Sequence, residues 1–206
     1  MARRTPEEAE QTKQTLLSIA LQQYATVGIY GTSLKAIAAQ AGVTHGALYW
    51  HFASRDDLIV ALCESQSLPI ERFYLDQLQA IDQNALEALG KFLVDSVLFI
   101  STDQRAQQIY RLFYSRRSEL PQNEQLQALL TDQWELWEGY VNKFLKQARK
   151  QKLIPKKTKN LPIASMLLSH VFGLLEVTSY LPQPVGLKKL AELSVSSTLK
   201  GLETLD

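Results

Sequence analysis

The chain has 206 residues, 46% of them hydrophobic, and 22 Lys and Arg against 21 Asp and Glu leave a net charge of +1. That length and apolar content can bury a core in one domain or two small ones, and they exclude a disordered chain. The single cysteine, Cys63, excludes an internal disulfide and suits a reducing compartment. The polar N-terminal stretch has no signal-peptide apolar core, so the expected location is cytoplasmic.

Helical spacing dominates and no strand pattern survives, so the expected fold class is all-α. A first helix over about 6–27 carries Glu7, Glu8 and Glu10 at its positive end and turns Leu16, Ile19, Ala20 and Tyr24 inward. Gly28 and Gly31 end it. Ser33 caps a short helix with Leu34, Ile37, Ala38 and Ala41 on its inner face. Gly42 supplies the left-handed residue that stops this helix, and Val43 docks beyond it. Thr44 then caps a second short helix with Ala47, Leu48 and Phe52 inward. Two short helices joined by a glycine turn have the form of a DNA-reading helix-turn-helix. The outward residues are Thr44, His45, Gly46, Tyr49, Trp50 and His51, and two large aromatics on that side fit a partner better than water. The charge distribution agrees. Asp and Glu are absent between Gln11 and Arg55, whereas Lys13, Lys35 and Arg55 are present.

Ser54 starts a further helix with Asp57 in the capping-box position. It continues toward Asp82, with a kink or break at Pro69. Helices follow over 84–101 and 103–115. Pro121 is placed in the first turn of a long helix, whose apolar stripe is Leu126, Leu130, Trp134, Trp137, Val141, Leu145 and Ala148. Leu153-Ile154-Pro155 ends it, and the lysines between Lys143 and Lys159 read as a solvated charge run. The helix over 161–181 is apolar nearly all round and needs cover on more than one side. Its tract from Ile163 to Val177 is interrupted by Ser165, Ser169, His170 and Glu176 and is too short for a membrane span. Pro182 and Pro184 end it. The last helix, over 187–205, mixes leucines with Ser194, Ser196, Ser197 and Gly201. These two helices are the candidate dimer interface, through Leu167, Val171, Leu174, Leu190, Leu193, Ser197 and Leu202, in a four-helix bundle across a two-fold axis. The plainer alternative is that they only close the core of one chain.

The strings Met1-Ala2-Arg3-Arg4-Thr5, Thr32-Ser33-Leu34, Ala41-Gly42-Val43-Thr44, Tyr49-Trp50-His51-Phe52 and Asp57-Leu58 resemble the TetR family of one-component repressors, in the branch that represses multidrug efflux pumps. A looser likeness continues through Gly173-Leu174-Leu175-Glu176 and Leu187-Lys188-Lys189. The resemblance implies a three-helix helix-turn-helix DNA-binding domain over 1–54 and a helical ligand-binding and dimerisation domain over 55–206. It implies three partners: a double-stranded DNA operator, a lipophilic small-molecule inducer and a second copy of the chain in a homodimer, with no membrane. DNA contacts are expected at Ser33, Lys35, Thr44, His45, Gly46, Tyr49, Trp50, His51 and Arg55. Tyr49, Trp50 and His51 would hold phosphates and sugars, Thr44 and His45 would approach base edges, and Arg55 would grip a phosphate. His45 stands where efflux-pump repressors often carry Arg.

The C-terminal part is rich in aromatics with few polar groups among them, which is the composition of a small-molecule pocket. The expected lining is Phe73, Phe92, Asp95, Phe99, Tyr110, Phe113, Tyr114, Trp134, Trp137, His170 and Glu176. Aromatic faces and a carboxylate suit lipophilic, often cationic, compounds. For any one of these residues ordinary core packing is the competing reading. Two alternatives stay open: a regulator of lipid or fatty-acid metabolism that senses an acyl ligand, and a helical small-molecule-binding protein without DNA. No enzyme, metal or cofactor is expected. His45, His51 and His170 make no metal pair, and no phosphate loop, nucleophile elbow or Cys–His arrangement occurs. Release from DNA would be a population shift, with the helix from Ser54 as lever and Pro69 as its flexing point.

Overall fold

The computed structural model describes residues 5–157, 159–180 and 186–204. Met1–Arg4, Pro182, Pro184 and Leu205 lie outside the described residues, and with them the opening motif and the expected ends of the last two helices. Among the described residues all regular structure is helical. The elements are α1 (Pro6–Thr26), α2 (Leu34–Gln40), α3 (His45–His51), α4 (Arg55–Ser65), α5 (Glu71–Leu78), α6 (Ala85–Thr102) and α7 (Gln104–Tyr110). A π-helical turn (Arg111–Ser115) and a 3₁₀ turn (Arg117–Glu119) follow, and then α8 (Glu124–Lys150), α9 (Asn160–Tyr180) and α10 (Leu187–Leu202).

The chain forms two compact units. One is the chain up to Leu68 together with Gln107–Thr131; the other is Pro69–Ala106 with the chain from Asp132 onward. Compactness therefore does not divide the chain after residue 54. The reason is burial: α4 packs on α1 and buries Leu58, Ile59, Leu62 and Cys63, and the π-helical turn also packs on α1.

In the first unit, α1 opens with Pro6 in its first turn and a full capping box. The Thr5 hydroxyl accepts the Glu8 amide at 3.2 Å, and the Glu8 carboxylate accepts the Thr5 amide at 2.9 Å. Its buried face is Leu16, Leu17, Ala20, Leu21, Tyr24 and Ala25, wider than the spacing predicts, with Ile19 half-buried. Cys63 is buried too, and burial pushes its thiol up to about 12. It behaves as a small apolar residue. A thiol reagent at pH 8 is expected to label it at least about a hundredfold more slowly in the native chain than in denaturant; equal rates would mean the site opens freely. The same burial has a pH signature. The Cys63 thiol and the buried Tyr24 hydroxyl, also pushed up to about 12, stay protonated in the fold after their unfolded counterparts ionise. Their contribution is complete below about pH 9 and is lost as pH rises from about 9 toward 12.

Two sequence boundaries move. The helix from Ser54 stops at Ser65 instead of continuing to a kink at Pro69. Gln66, Leu68 and Ile70 are buried in the non-helical segment that follows, and a residue before proline disfavours helix. The capping box expected with Asp57 is half made: Ser54 Oγ accepts the Asp57 amide at 3.0 Å. Pro121 precedes α8 instead of entering it, and Asn123 supplies the cap through Oδ1 to the Leu126 amide at 3.0 Å.

In the second unit α5, α6 and α8 bring an aromatic core together. Phe92 stacks on Phe144 with ring centres 5.9 Å apart, and Tyr74 stacks on Tyr140 at 4.1 Å. Gln151 ties the α5–α6 connection to the end of α8. Its Oε1 accepts the Ala85 amide at 2.9 Å, and its Nε2 donates to the carbonyls of Ile81 and Asp82. Gly90 lets α10 approach α6, since a Cβ there would stand 3.2 Å from Leu199. Helix α9 packs on α6 and α10 with Ile163, Ala164, Leu167, Leu168, Val171 and Leu175 buried, while Leu161, Met166 and Val177 are exposed. Residues Asn160–Ser179 are long and apolar enough to cross a membrane by length and composition, contrary to the length argument from the sequence. Their packing against α6 and α10 gives one face a protein cover instead.

The candidate interface residues separate. Leu167, Val171 and Leu202 are buried in the core of their own chain, because the apolar stripes of α9 and α10 point first at α6. Leu174 and Leu190 are half-buried, and Leu193 and Ser197 are exposed.

Candidate functional site

Helices α2 and α3 are each seven residues long, so their geometry depends on caps and one turn. Ser33 Oγ accepts the Ala36 amide at 3.1 Å, and Thr44 Oγ1 accepts the Ala47 amide at 3.2 Å. Both hydroxyl protons can still donate outward. Between the helices Gly42 holds φ +67, the Val43 amide donates to the Ala38 carbonyl at 3.0 Å, and the Gly42 amide donates to Ala39 at 3.1 Å. This is a Schellman stop, and glycine meets its left-handed requirement without Cβ strain.

With Leu48 and Phe52 buried beneath it, α3 presents the other face to solvent. Trp50 is 73% exposed and Tyr49 47% exposed. His45 meets the edge of Tyr49 with ring centres 4.8 Å apart, and His51 meets the edge of Trp50 at 4.7 Å. A Cβ at Gly46 would meet only the Thr44 hydroxyl, at 4.0 Å, so the start of α3 is open to a close partner. Lys35 is exposed on α2. The expected outward set therefore shares one solvent face of this unit, with His51 half-buried at its edge. Tyr30, 75% exposed on the turn before α2, extends the aromatic exposure and carries no motif that marked it in the sequence.

Arg55 is also tied into the fold. Its Nη2 donates to the Thr32 carbonyl at 3.1 Å, and its guanidinium lies beside the buried Tyr24 hydroxyl. It braces the turn that leads into α2.

The expected ligand residues take part in several ring contacts. Phe73 and Phe99 pair at 5.5 Å, and the Arg72 guanidinium already covers both rings, 4.6 and 4.2 Å from their centres. A cation of the chain itself thus occupies the faces read as a cation site. Phe92 is core, packed among Tyr74, Tyr140 and Phe144. Trp134, Trp137 and Phe172 form a third cluster at 5.5–6.5 Å, with Trp134 half-buried. Tyr110 and Tyr114 stack in the first unit, where Phe113 is buried. Burial raises the Tyr114 hydroxyl well above its ordinary range, with Cys63 nearby adding to the shift. Asp95 lines a groove of about 570 Å³ between α6 and α10, with Leu98, Lys91, Lys188 and Val195. His170 is an exposed residue and not an interior one; its Nε2 lies 2.6 Å from Ser194 Oγ, joining α9 to α10. Glu176 is half-buried on α9. The sequence shows aromatic abundance, but which rings meet depends on helix rotation that composition does not carry.

Residues 16–62 match the family described as bacterial regulatory proteins, tetR family. The chain is 29% identical over 205 residues to the HTH-type transcriptional regulator AcrR of Shigella flexneri, covering 97% of this chain and 93% of that one. It is 34% identical over 97 residues to the HTH-type transcriptional regulator TtgW of Pseudomonas putida, covering 47% of this chain and 71% of that one. Among solved structures, NalD of Pseudomonas aeruginosa, the secondary repressor of the MexAB-OprM multidrug efflux pump, superposes with a TM-score of 0.74 at 20% identity, covering 95% and 98% of the two chains.

Proposed function

The chain belongs to the tetR family of bacterial regulatory proteins, and from that premise we propose that it is a ligand-responsive repressor controlling a multidrug efflux pump. It binds a pseudo-palindromic operator as a homodimer inside the cell and leaves it when a lipophilic small molecule binds. The observation that carries this reading is the solvent face of α3, where Tyr49 and Trp50 stand exposed beside His45 in a stretch without a carboxylate from Gln11 to Arg55. Aromatic and hydroxyl groups on such a face hold phosphate and sugar, and residues at the start of the helix reach base edges. The half-buried aromatics Phe73, Phe99, Trp134 and Phe172 support a lipophilic inducer.

The test is selection of duplexes from a random library by the purified full chain, followed by titration of the recovered sequence. Affinity is expected to fall steeply with salt, because each phosphate neutralised releases a counterion. Half-sites are expected about one helical turn of DNA apart, roughly 34 Å, or a multiple of it. Tyr49→Ala is expected to weaken binding to every duplex in proportion, whereas His45→Ala reorders preference among operator variants. Matching profiles for the two variants would remove this division of roles, and recovery of no sequence at any salt would remove the DNA-binding reading.

A further inference from the structure

We infer that Glu119 is a positioning residue for the reading helices, a carboxylate bolt that holds the turn between α1 and α2 to the segment that follows α7. The inference rests on the reading of α2–α3 as the DNA-binding element. Glu119 Oε2 accepts the Ile29 amide at 3.0 Å across 90 positions of sequence. Its Oε1 faces the Arg116 guanidinium at 3.5 Å, and both side chains are partly buried. Gly28 holds φ +95 beneath this pair. The positive φ favours glycine, and a Cβ at Gly28 would come within 2.6 Å of Arg116 Nη1 and 2.9 Å of Glu119 Oε2, so it would displace the tips of these two side chains.

The bolt is connected on both sides. On one side the Thr32 hydroxyl donates to the Gly28 carbonyl at 2.8 Å and the Thr32 carbonyl accepts from Arg55, directly before Ser33, the cap of α2. On the other side Arg116–Glu119 follows the π-helical turn Arg111–Ser115, which packs on α1 through buried Leu112 and Phe113. A π turn carries one residue more than an α turn, and such turns frequently mark functional sites. Any change of register there would draw Glu119 along with respect to Ile29. Loss of the carboxylate leaves a part-buried amide without its acceptor, which favours opening of the turn.

The experiment compares wild type, Glu119→Ala, Glu119→Gln and Gly28→Ala as full chains, by amide exchange and by affinity for the selected duplex and a scrambled duplex of equal length. Glu119→Ala is expected to raise exchange across residues 28–33 about tenfold or more while protection of Leu16–Tyr24 stays as in wild type. The ratio of selected to scrambled affinity is expected to fall about fivefold or more with an unchanged salt slope, since phosphate contacts are kept and only their presentation changes. Glu119→Gln keeps an acceptor for Ile29 and should recover most of both. Gly28→Ala should reproduce the alanine pattern by pushing the bolt off the turn. Wild-type exchange and ratio in Glu119→Ala, or a glutamine variant as impaired as alanine, overturns the inference. A wild-type chain that binds no duplex overturns the functional reading instead, and the exchange comparison then decides the bolt by itself.

Discussion

Trp50→Ala is expected to leave the melting temperature within about 2 °C of wild type while lowering affinity for the selected duplex about a hundredfold. The indole is 73% exposed, so its removal opens no cavity in the chain, and substitutions at such sites change stability little. On the proposed reading the same ring anchors the complex, and loss of a central aromatic costs about tenfold or more per contact surface. A homodimer loses two. Leu48→Ala, two positions away on α3, is the contrasting case. Leu48 is fully buried, and truncation of a core leucine costs about 2–5 kcal/mol, so this variant should lose stability and binding together. Thermal denaturation paired with fluorescence anisotropy on the duplex separates the two. A Trp50 variant that binds normally would show that α3 presents a different face to its partner. One that melts early would show that the indole is packed in solution.

Leu193→Asp is expected to convert a dimer into a monomer at about 10 µM, read by sedimentation equilibrium, with secondary structure and melting profile near those of the isolated wild-type subunit. Leu193 is 62% exposed on α10, and Leu161, Met166 and Val177 are exposed on α9, leaving apolar surface on both helices outside the core of the chain. In a two-fold interface every substitution occurs twice, so the variant brings two carboxylates into an apolar contact. Operator affinity should fall far more than affinity for a single half-site, because the dimer is what joins two heads on one duplex. A variant that remains dimeric would move the interface elsewhere. Leu167→Ala is the control: its side chain is buried inside one subunit, so it should lower stability without a specific effect on assembly.

The reading end was legible in the sequence almost residue by residue. Ser33, Gly42 and Thr44 announce two caps and a left-handed turn, and the structure makes those bonds. The interval of Leu48 and Phe52 then turns Tyr49 and Trp50 outward by helical geometry alone. Such features need contacts only a few residues apart, and composition within that range states them. The other end was legible as apolar stripes, while the pairing of its rings was not. Phe92 and Phe99 lie on one helix, yet the first is core and the second lies under Arg72. Leu167 and Leu193 look alike as helical leucines, yet one is buried and the other exposed.

What the sequence determined by itself was an all-helical chain, the order of its helices and the face of α3 that meets solvent. What only the tertiary structure decided was the end of α4 at Ser65, the bond from Arg55 to the Thr32 carbonyl, the pairing of particular aromatic rings, and the contact of Glu119 with Ile29. The physical reason is range. Caps, turns and helix periodicity are satisfied between neighbours in the chain, whereas these four depend on which distant surfaces exclude water together, and a side chain 90 positions away leaves no mark on the local pattern it completes.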